Sequence, residues 1–247
     1  MEILGIDIGG SALKGAPVDV VHGKLTAERF RIEVPKKPSP PVVLDAAAEI
    51  ARHFDWNGPI GCTFPAIVKN GVTLSAANVD KKWIGFKTRK ALAKSTGCPV
   101  LLINDADAAG LAEMKFGAGQ REMGTVIMLT LGTGIGSAVF LDGKLLPNTE
   151  LGHLRMGGKD AEDRAAARLK TEKNLTWKQY AERLNTYLEY VDLLFSPDLY
   201  IIGGGISKRA DKFIPLLRSR AGIVPAKLLN DAGIVGAALA ACDLVTE

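Results

Sequence analysis

The 247-residue sequence predicts an α/β protein of two lobes built on one duplicated unit. A strand, a glycine turn and a second strand occur first as EILGIDI, GG and SALKGAPVDV, and the same grammar returns as TVIMLTL, GTGIG and SAVFL from Thr125 to Leu141. Each copy is followed by alternating helix and strand signals, the pattern of helices packed against a sheet. Two copies, each spread over half the chain, describe a duplicated fold and not a solenoid.

In chain order, the first copy continues through a turn at His22 and Gly23 into a third strand, KLTAERFRIEV, which completes a meander. The proline-rich stretch from Val34 to Val43 reads as a rigid loop, and VVLDAAAEIARH at 42–53 has apolar residues at helical spacing. GPIGCTFPAIV reads as a strand entering a turn. The apolar run from Val100 to Ile103 predicts a buried strand with Asn104 and Asp105 at its end and a helix from about Ala106. In the second copy, Asp142-Gly143 is a hairpin signal, and TWKQYAERLNTYLEYVDLLF is an amphipathic helix with Thr176 as its N-cap. The strand DLYIIGGGIS, a helix starting near Lys208 and an Ala/Gly-rich closing helix follow. The expected division is a small lobe over 1–105, completed by the closing helix at 233–247, and a larger lobe over 106–232, with a cleft between them.

Composition narrows the function classes. At 47% hydrophobic and 23% charged residues the chain reads as folded and globular. The net charge of +4 is mild, without the dense basic stripe of a nucleic-acid domain, so no nucleic-acid partner is expected, while an anionic substrate is compatible. Glycines interrupt the longest apolar stretch, so no membrane span is expected. The start MEILGIDIGG shows no leader, and the expected location is the cytoplasm. Three cysteines without C-x-x-C spacing read as structural thiols.

Three glycine clusters end apolar strands: Gly9-Gly10, Gly132-Thr133-Gly134, and Gly203-Gly204-Gly205. Such turns bare successive amides for an anion, or simply close a tight hairpin; both readings stand for each cluster alone. Neither a P-loop nor a dinucleotide-binding fingerprint fits the spacing. Asp7, inside the first strand and next to Gly9, suits a metal beside bound phosphates. Asp105 is placed to accept a proton from a substrate hydroxyl, or to cap the following helix, a task open to Asp107 as well. Glu150, His153 and Glu162 supply polar groups for adjacent hydroxyls.

With those stretches in place, the chain resembles the ROK sugar kinases of the actin-like ATPase superfamily along nearly its whole length, and looks most like the polyphosphate-using glucokinase branch. DIGGSALKG corresponds to the first phosphate motif, INDADAAGLAE to the first connecting motif, LTLGTGIGSAVF to the second phosphate motif, IIGGGISKRADKF to the adenosine motif and NDAGIVGAALAA to the second connecting helix. The resemblance implies the duplicated, ribonuclease H-like fold of actin-like ATPases. It implies Asp105 as the general base on the glucose 6-hydroxyl, with Asn78, Asn104, Glu150, His153 and Glu162 on the other hydroxyls. It implies Mg²⁺ at Asp7, and a donor held by Gly9, Gly10, Ser11, Lys14, Gly132, Thr133 and Gly134, with Gly204, Lys208 and Arg209 toward its tail. Lys81, Lys82 and Lys212 are further cations expected along a polyphosphate chain. Many ROK kinases carry a cysteine cluster that binds zinc with the histidine matching His153; HLRMGGKDAEDRAAAR has no cysteine, so no zinc is expected. The expected partners are glucose, inorganic polyphosphate with ATP as a second donor, and a second copy of the chain in a homodimer. The competing readings are an ATP-dependent hexose kinase acting on glucose, mannose or N-acetylmannosamine, and a non-catalytic sugar-binding regulator, which is disfavoured by the intact context of Asp105 and the lack of a helix-turn-helix.

Overall fold

The computed structural model describes residues 1–77 and 79–245. The expected sugar contact Asn78 lies outside the described residues. The chain divides into two compact units, Met1–Ala112 with the chain from Asp231 onward, and Glu113–Asn230.

The first unit opens with β1 (Glu2–Ile8) and β2 (Ala12–Asp19), an antiparallel hairpin closed at the glycine turn. The expected third strand is broken: β3 (Lys24–Leu25) and β4 (Phe30–Glu33) pair with β2 separately. The intervening segment, TAER, has charged and small residues where a strand would need an apolar face, so it does not pair continuously. Helix α1 (Pro40–His53) begins earlier than expected, inside the proline-rich stretch, because prolines suit the first helical turn, where their missing N–H is not needed. Then come β5 (Ile60–Phe64), the small hairpin β6 (Val68–Lys69) and β7 (Val72–Thr73), helix α2 (Thr88–Thr96), β8 (Val100–Asn104) and helix α3 (Asp105–Phe116). The sheet runs β3-β2-β1-β5-β8, with β1, β5 and β8 mutually parallel, so their C-terminal ends share one edge. Ile6, Ile8, Ile60, Phe64 and Trp83 lie in its fully buried core.

The second unit repeats the plan. Strands β9 (Thr125–Leu131), β10 (Ile135–Leu141) and β11 (Lys144–Leu146) form the expected meander. After the ribbon of β12 (Arg155–Met156) and β13 (Lys159–Asp160) come the short helices α4 (Glu162–Ala165) and α5 (Arg168–Glu172). The long helix α6 (Trp177–Phe195) is opened by a capping box in which Thr176 and Gln179 satisfy each other's amides. β14 (Leu199–Gly203) joins β9 in parallel. The helix expected near Lys208 is instead a 3₁₀ segment, Gly205–Arg209, followed by a single turn, α7 (Ala210–Phe213). Pro215 at the start of the next 3₁₀ turn prevents α7 from extending. β15 (Gly222–Pro225) completes the sheet.

The chain then returns to the first unit as α8 (Ala232–Ala240), continuing as a 3₁₀ segment to Val245. Its small residues let backbones approach: a Cβ at Gly61 would overlap the Ala237 carbonyl, and one at Gly236 would overlap the Ala108 carbonyl. This packing seats α8 directly on β5 and on the start of α3.

Candidate functional site

In the first unit, the parallel register puts Ile6 level with Cys62 and Leu102, with Asp7 one residue further along β1, and Phe64 level with Asn104. Asp7 and the β8 terminus are therefore two strand spacings apart on one edge, roughly 10 Å. Thr63, fully buried, fixes Asp7: its Oγ1 donates to Asp7 Oδ1 at 2.9 Å and accepts from the Ile8 amide at 3.1 Å. Sequence reasoning missed Thr63; a lone hydroxyl in an otherwise apolar buried strand was the available signal. Lys14, opposite Asp7 in the β1–β2 register, holds its Nζ 3.9 Å from Asp7 Oδ2. Its charge is thus partly committed to that carboxylate.

Asn104 is the capping residue of α3. Its Oδ1 accepts from the amides of Ala106 at 2.9 Å and Asp107 at 3.0 Å, and its Nδ2 donates to the Ala66 carbonyl at 3.1 Å. The capping alternative raised for Asp105 and Asp107 therefore falls to their neighbour. Asp105 Oδ1 accepts from the Ala106 amide at 2.9 Å while the residue stays partly exposed, and Asp107 is buried.

The first glycine turn corrects one expectation: the Gly9 amide is used, donating to the Ala12 carbonyl at 3.0 Å. In the second unit the Gly132 amide likewise donates to the Gly134 carbonyl at 3.0 Å. The hairpins need these two N–H groups to close, so neither is available to a donor. The amides of Gly10, Ser11, Thr133 and Gly134 are not consumed by bonds among the described residues.

Arg168 orients the second turn. Its backbone N–H donates to the Gly132 carbonyl at 3.1 Å, and its Nε to the Thr133 carbonyl at 2.6 Å. A trans peptide points C=O and N–H in opposite directions, so both carbonyls turned toward Arg168 force the Thr133 and Gly134 amides away from it, as two successive donors. Asp163 at 2.8 Å and Glu172 at 3.5 Å hold the guanidinium in place. Arg168 is a second residue that sequence reasoning missed, since it lies far from any glycine cluster in the chain. On the other side Glu162 Oε2 accepts from the Ile135 amide at 3.2 Å, and a Cβ at Gly134 would collide with that carboxylate.

Glu150 precedes and His153 ends a 3₁₀ turn, Leu151–His153, packed on the start of β10. Ser137 Oγ accepts from the Leu151 amide at 3.0 Å, and a Cβ at Gly152 would overlap the Ile135 carbonyl. The His153 ring lies 2.9 Å from Asp160 through Nδ1 and 4.0 Å from Glu150 through Nε2. Partial burial works against the His153 charge, but Asp160, Glu162 and Glu150 outweigh it and raise its pKa. Burial raises the pKa of Glu150, with His153 opposing and Glu162 adding to the shift. Glu150, His153 and Glu162 thus form one electrostatic cluster, with Asp160 bracing the histidine.

Gly204 has a structural duty: at φ 80° it lies against Leu131, and a Cβ would overlap the Leu131 backbone. Lys208 and Arg209 are exposed on the 3₁₀ segment that follows. Among the described residues, no three His, Cys, Asp or Glu side chains gather as metal ligands. No described helix is long and apolar enough to cross a membrane. The lone carboxylate of Asp7 fits a cation that keeps most of its water and shares phosphate ligands, as Mg²⁺ does.

The solved structure of an inorganic polyphosphate/ATP-glucomannokinase from Arthrobacter sp. strain KM superposes with a TM-score of 0.94 at 49% identity, covering 98% of this chain and 99% of that one. The polyphosphate glucokinase of Mycobacterium tuberculosis is 49% identical over 96% of this chain and 89% of its own length, and that of Mycobacterium leprae 46% identical over 98% and 75%. A ROK family glucokinase from Streptomyces griseus shares the fold at a TM-score of 0.83 and 24% identity, with 98% and 100% of the two chains covered. The fold is the duplicated α/β fold of the actin-like ATPases. With the ROK family model matching residues 3–173, the chain belongs to the ROK family.

Proposed function

We propose that the protein is a polyphosphate-dependent glucokinase, transferring the terminal phosphoryl group of inorganic polyphosphate to the 6-hydroxyl of glucose. The observation that carries this is the near-half identity over almost the whole chain to proteins named for that reaction and to a solved polyphosphate/ATP-glucomannokinase. ATP is a second donor in this reading, and the 3₁₀ segment after Gly204 is the place for its adenosine.

Asp105 is the general base. It stands at a helix start whose cap is supplied by Asn104; its own Oδ1 accepts from the Ala106 amide, and the residue stays partly exposed. In phosphoryl transfer the base accepts a proton while positioning and charge stabilisation supply most of the acceleration. Asn104, Glu150, His153 and Glu162 bind the remaining sugar hydroxyls. The Thr133 and Gly134 amides, with those of Gly10 and Ser11, hold donor phosphate oxygens. Kinases of this class use a divalent metal; Asp7 would hold Mg²⁺, which supplies charge neutralisation on the donor, and Thr63 fixes the Asp7 rotamer for it. The protein works as a homodimer, supported by the exposed Tyr190, Leu193 and Leu194 near the end of α6. The domain division and the cytoplasmic location remain part of this reading.

The test is glucose 6-phosphate formation with Mg²⁺ and either long-chain polyphosphate or polyphosphate-free ATP. Turnover with polyphosphate supports the reading. Turnover with ATP alone overturns it in favour of an ordinary ROK hexose kinase.

A further inference from the structure

The mild net charge conceals a concentration of cations. From Lys81 to Asn104 the sequence contains no Asp or Glu, yet Lys81, Lys82, Lys87, Arg89, Lys90 and Lys94 fall within its first fourteen positions. Removing these six from the 31 Lys and Arg residues leaves 25 against 27 acids, so the excess positive charge of the whole protein resides in this segment. All six are exposed, and none makes an ion pair among the described residues.

The segment is held firmly under its charged face. Trp83 is fully buried, stacks edge-on against Phe64 at 4.6 Å, and donates from Nε1 to the Pro38 carbonyl at 2.9 Å. Thr88 at the start of α2 is buried against Thr73, their hydroxyls 3.0 Å apart. Arg89 folds along the β6–β7 hairpin, where it fills the space beside Gly71. Lys87, Lys90 and Lys94 line one shallow depression with Gly85, Phe86 and Ala91. Lys90 and Lys94, four apart, share one face of α2, and Lys87, immediately before its first turn, borders the same depression.

The direction of this row matters. Phe64, which Trp83 packs against, is level with Asn104 in the β5–β8 register. Because α2 feeds β8 after a short turn, it runs back against the strand direction, so Lys87 starts at the strand-end edge carrying Asp105, and Lys94 lies about 10 Å further along the helix. We propose that Lys87, Lys90 and Lys94 form a docking face for the non-reacting length of an inorganic polyphosphate chain. This rests on the polyphosphate-donor reading above. A linear polyanion of repeating phosphates matches a linear, acid-free row of exposed ammonium groups, which attract phosphate as point charges without demanding a base or sugar. The face supplies affinity and capture rate for long chains and nothing to the chemical step.

The test compares wild type with the triple variant Lys87→Gln, Lys90→Gln, Lys94→Gln, using glucose and either long-chain polyphosphate or a short oligophosphate, across a series of salt concentrations. In the variant, KM for the long chain rises about ten- to hundredfold at low salt, and the slope of log affinity against log salt falls by about two to three. The glucose KM, kcat and short-chain KM stay at wild-type values, which shows that the fold is intact. The triple Lys→Arg variant restores long-chain KM. An unchanged long-chain KM and salt slope overturns the docking face alone. Absence of polyphosphate turnover in the wild type overturns the donor reading and the docking face with it. Loss of RNA binding in the Gln variant, with long-chain polyphosphate KM unmoved, reassigns the face to nucleic acid and overturns the proposal.

Discussion

His153 Nδ1 lies 2.9 Å from Asp160 Oδ2, and the same carboxylate accepts from Arg155 at 2.6 Å through its other oxygen. An aspartate thus orients the imidazole; desolvation is the largest single influence on His153 and lowers its pKa, but the Asp160 hydrogen bond together with the charges of Glu162, Glu150 and Asp160 outweighs it and raises the pKa, while the Asp160 pKa is lowered chiefly by His153 and then by Arg155. The sign follows from both shifts. The pair stabilises the fold fully below the ordinary histidine value of 6.5, losing its effect as pH rises through the elevated His153 value; at the acid end it is lost as pH falls through the lowered Asp160 value. Asp160→Asn lowers the His153 pKa. Proton NMR titration of the ring checks this, with only three histidines in the chain to assign. The glucose KM of this variant is expected to rise as pH increases from 6 to 8, more steeply than in wild type; a parallel profile would show that the charge on His153 is irrelevant to sugar binding.

Adjacent residues at the β8 terminus should differ in their main cost: turnover at Asp105, stability together with sugar affinity at Asn104. Asp105→Asn is expected to lower kcat by about 10²- to 10⁴-fold with little change in thermal midpoint. Asn104→Ala removes the acceptor for two helix amides and the donor to Ala66, so it is expected to cost about 1 to 2 kcal/mol in urea unfolding. Near-wild-type turnover in a folded Asp105→Asn protein would remove Asp105 from the mechanism.

The strands and the long helices were legible because hydrophobic period and capping residues act locally: the Thr176 cap, the two glycine-closed hairpins and the buried run before Asn104 all follow from neighbours in sequence. Thr63, Arg168 and Asp160 were illegible as functional residues because their importance depends on register and on contacts across the fold. Thr63 reaches Asp7 over 56 positions, and Arg168 reaches Thr133 over 35. The glycine clusters were half legible. Sequence marked the turns, but which amides remain available depends on hairpin bonds, and these consume Gly9 and Gly132.

Arg168 offers a test of the oriented amides. Arg168→Ala frees the Thr133 carbonyl and loosens the peptide planes that aim the Thr133 and Gly134 N–H groups. The donor KM is expected to rise about tenfold, about one charge-assisted hydrogen bond's worth, with glucose KM unchanged. Lysine at this position keeps the charge but lacks the fork held by Asp163 and Glu172, so Arg168→Lys should rescue only part of the loss. Full rescue by lysine would mean that Arg168 acts through net charge and not through orientation.

Two glycines should respond oppositely to the same added methyl group. A Cβ at Gly61 overlaps the Ala237 backbone, which has no rotamer by which to yield, so Gly61→Ala must push α8 off β5. A destabilisation of about 1 to 3 kcal/mol is expected from this overpacking, read as a lower urea midpoint with kcat altered only through loss of folded protein. At Gly132 a Cβ would meet no heavy atom within 4 Å, and the residue has no positive φ, so Gly132→Ala should leave the urea midpoint where it was. Its methyl group would instead stand beside the Thr133 amide, where a donor phosphate is expected to approach, raising donor KM while sparing glucose KM. If Gly132→Ala binds both polyphosphate and ATP as wild type does, the open space at this turn serves the hairpin and not the donor, and the oriented Thr133 and Gly134 amides lose their assigned ligand.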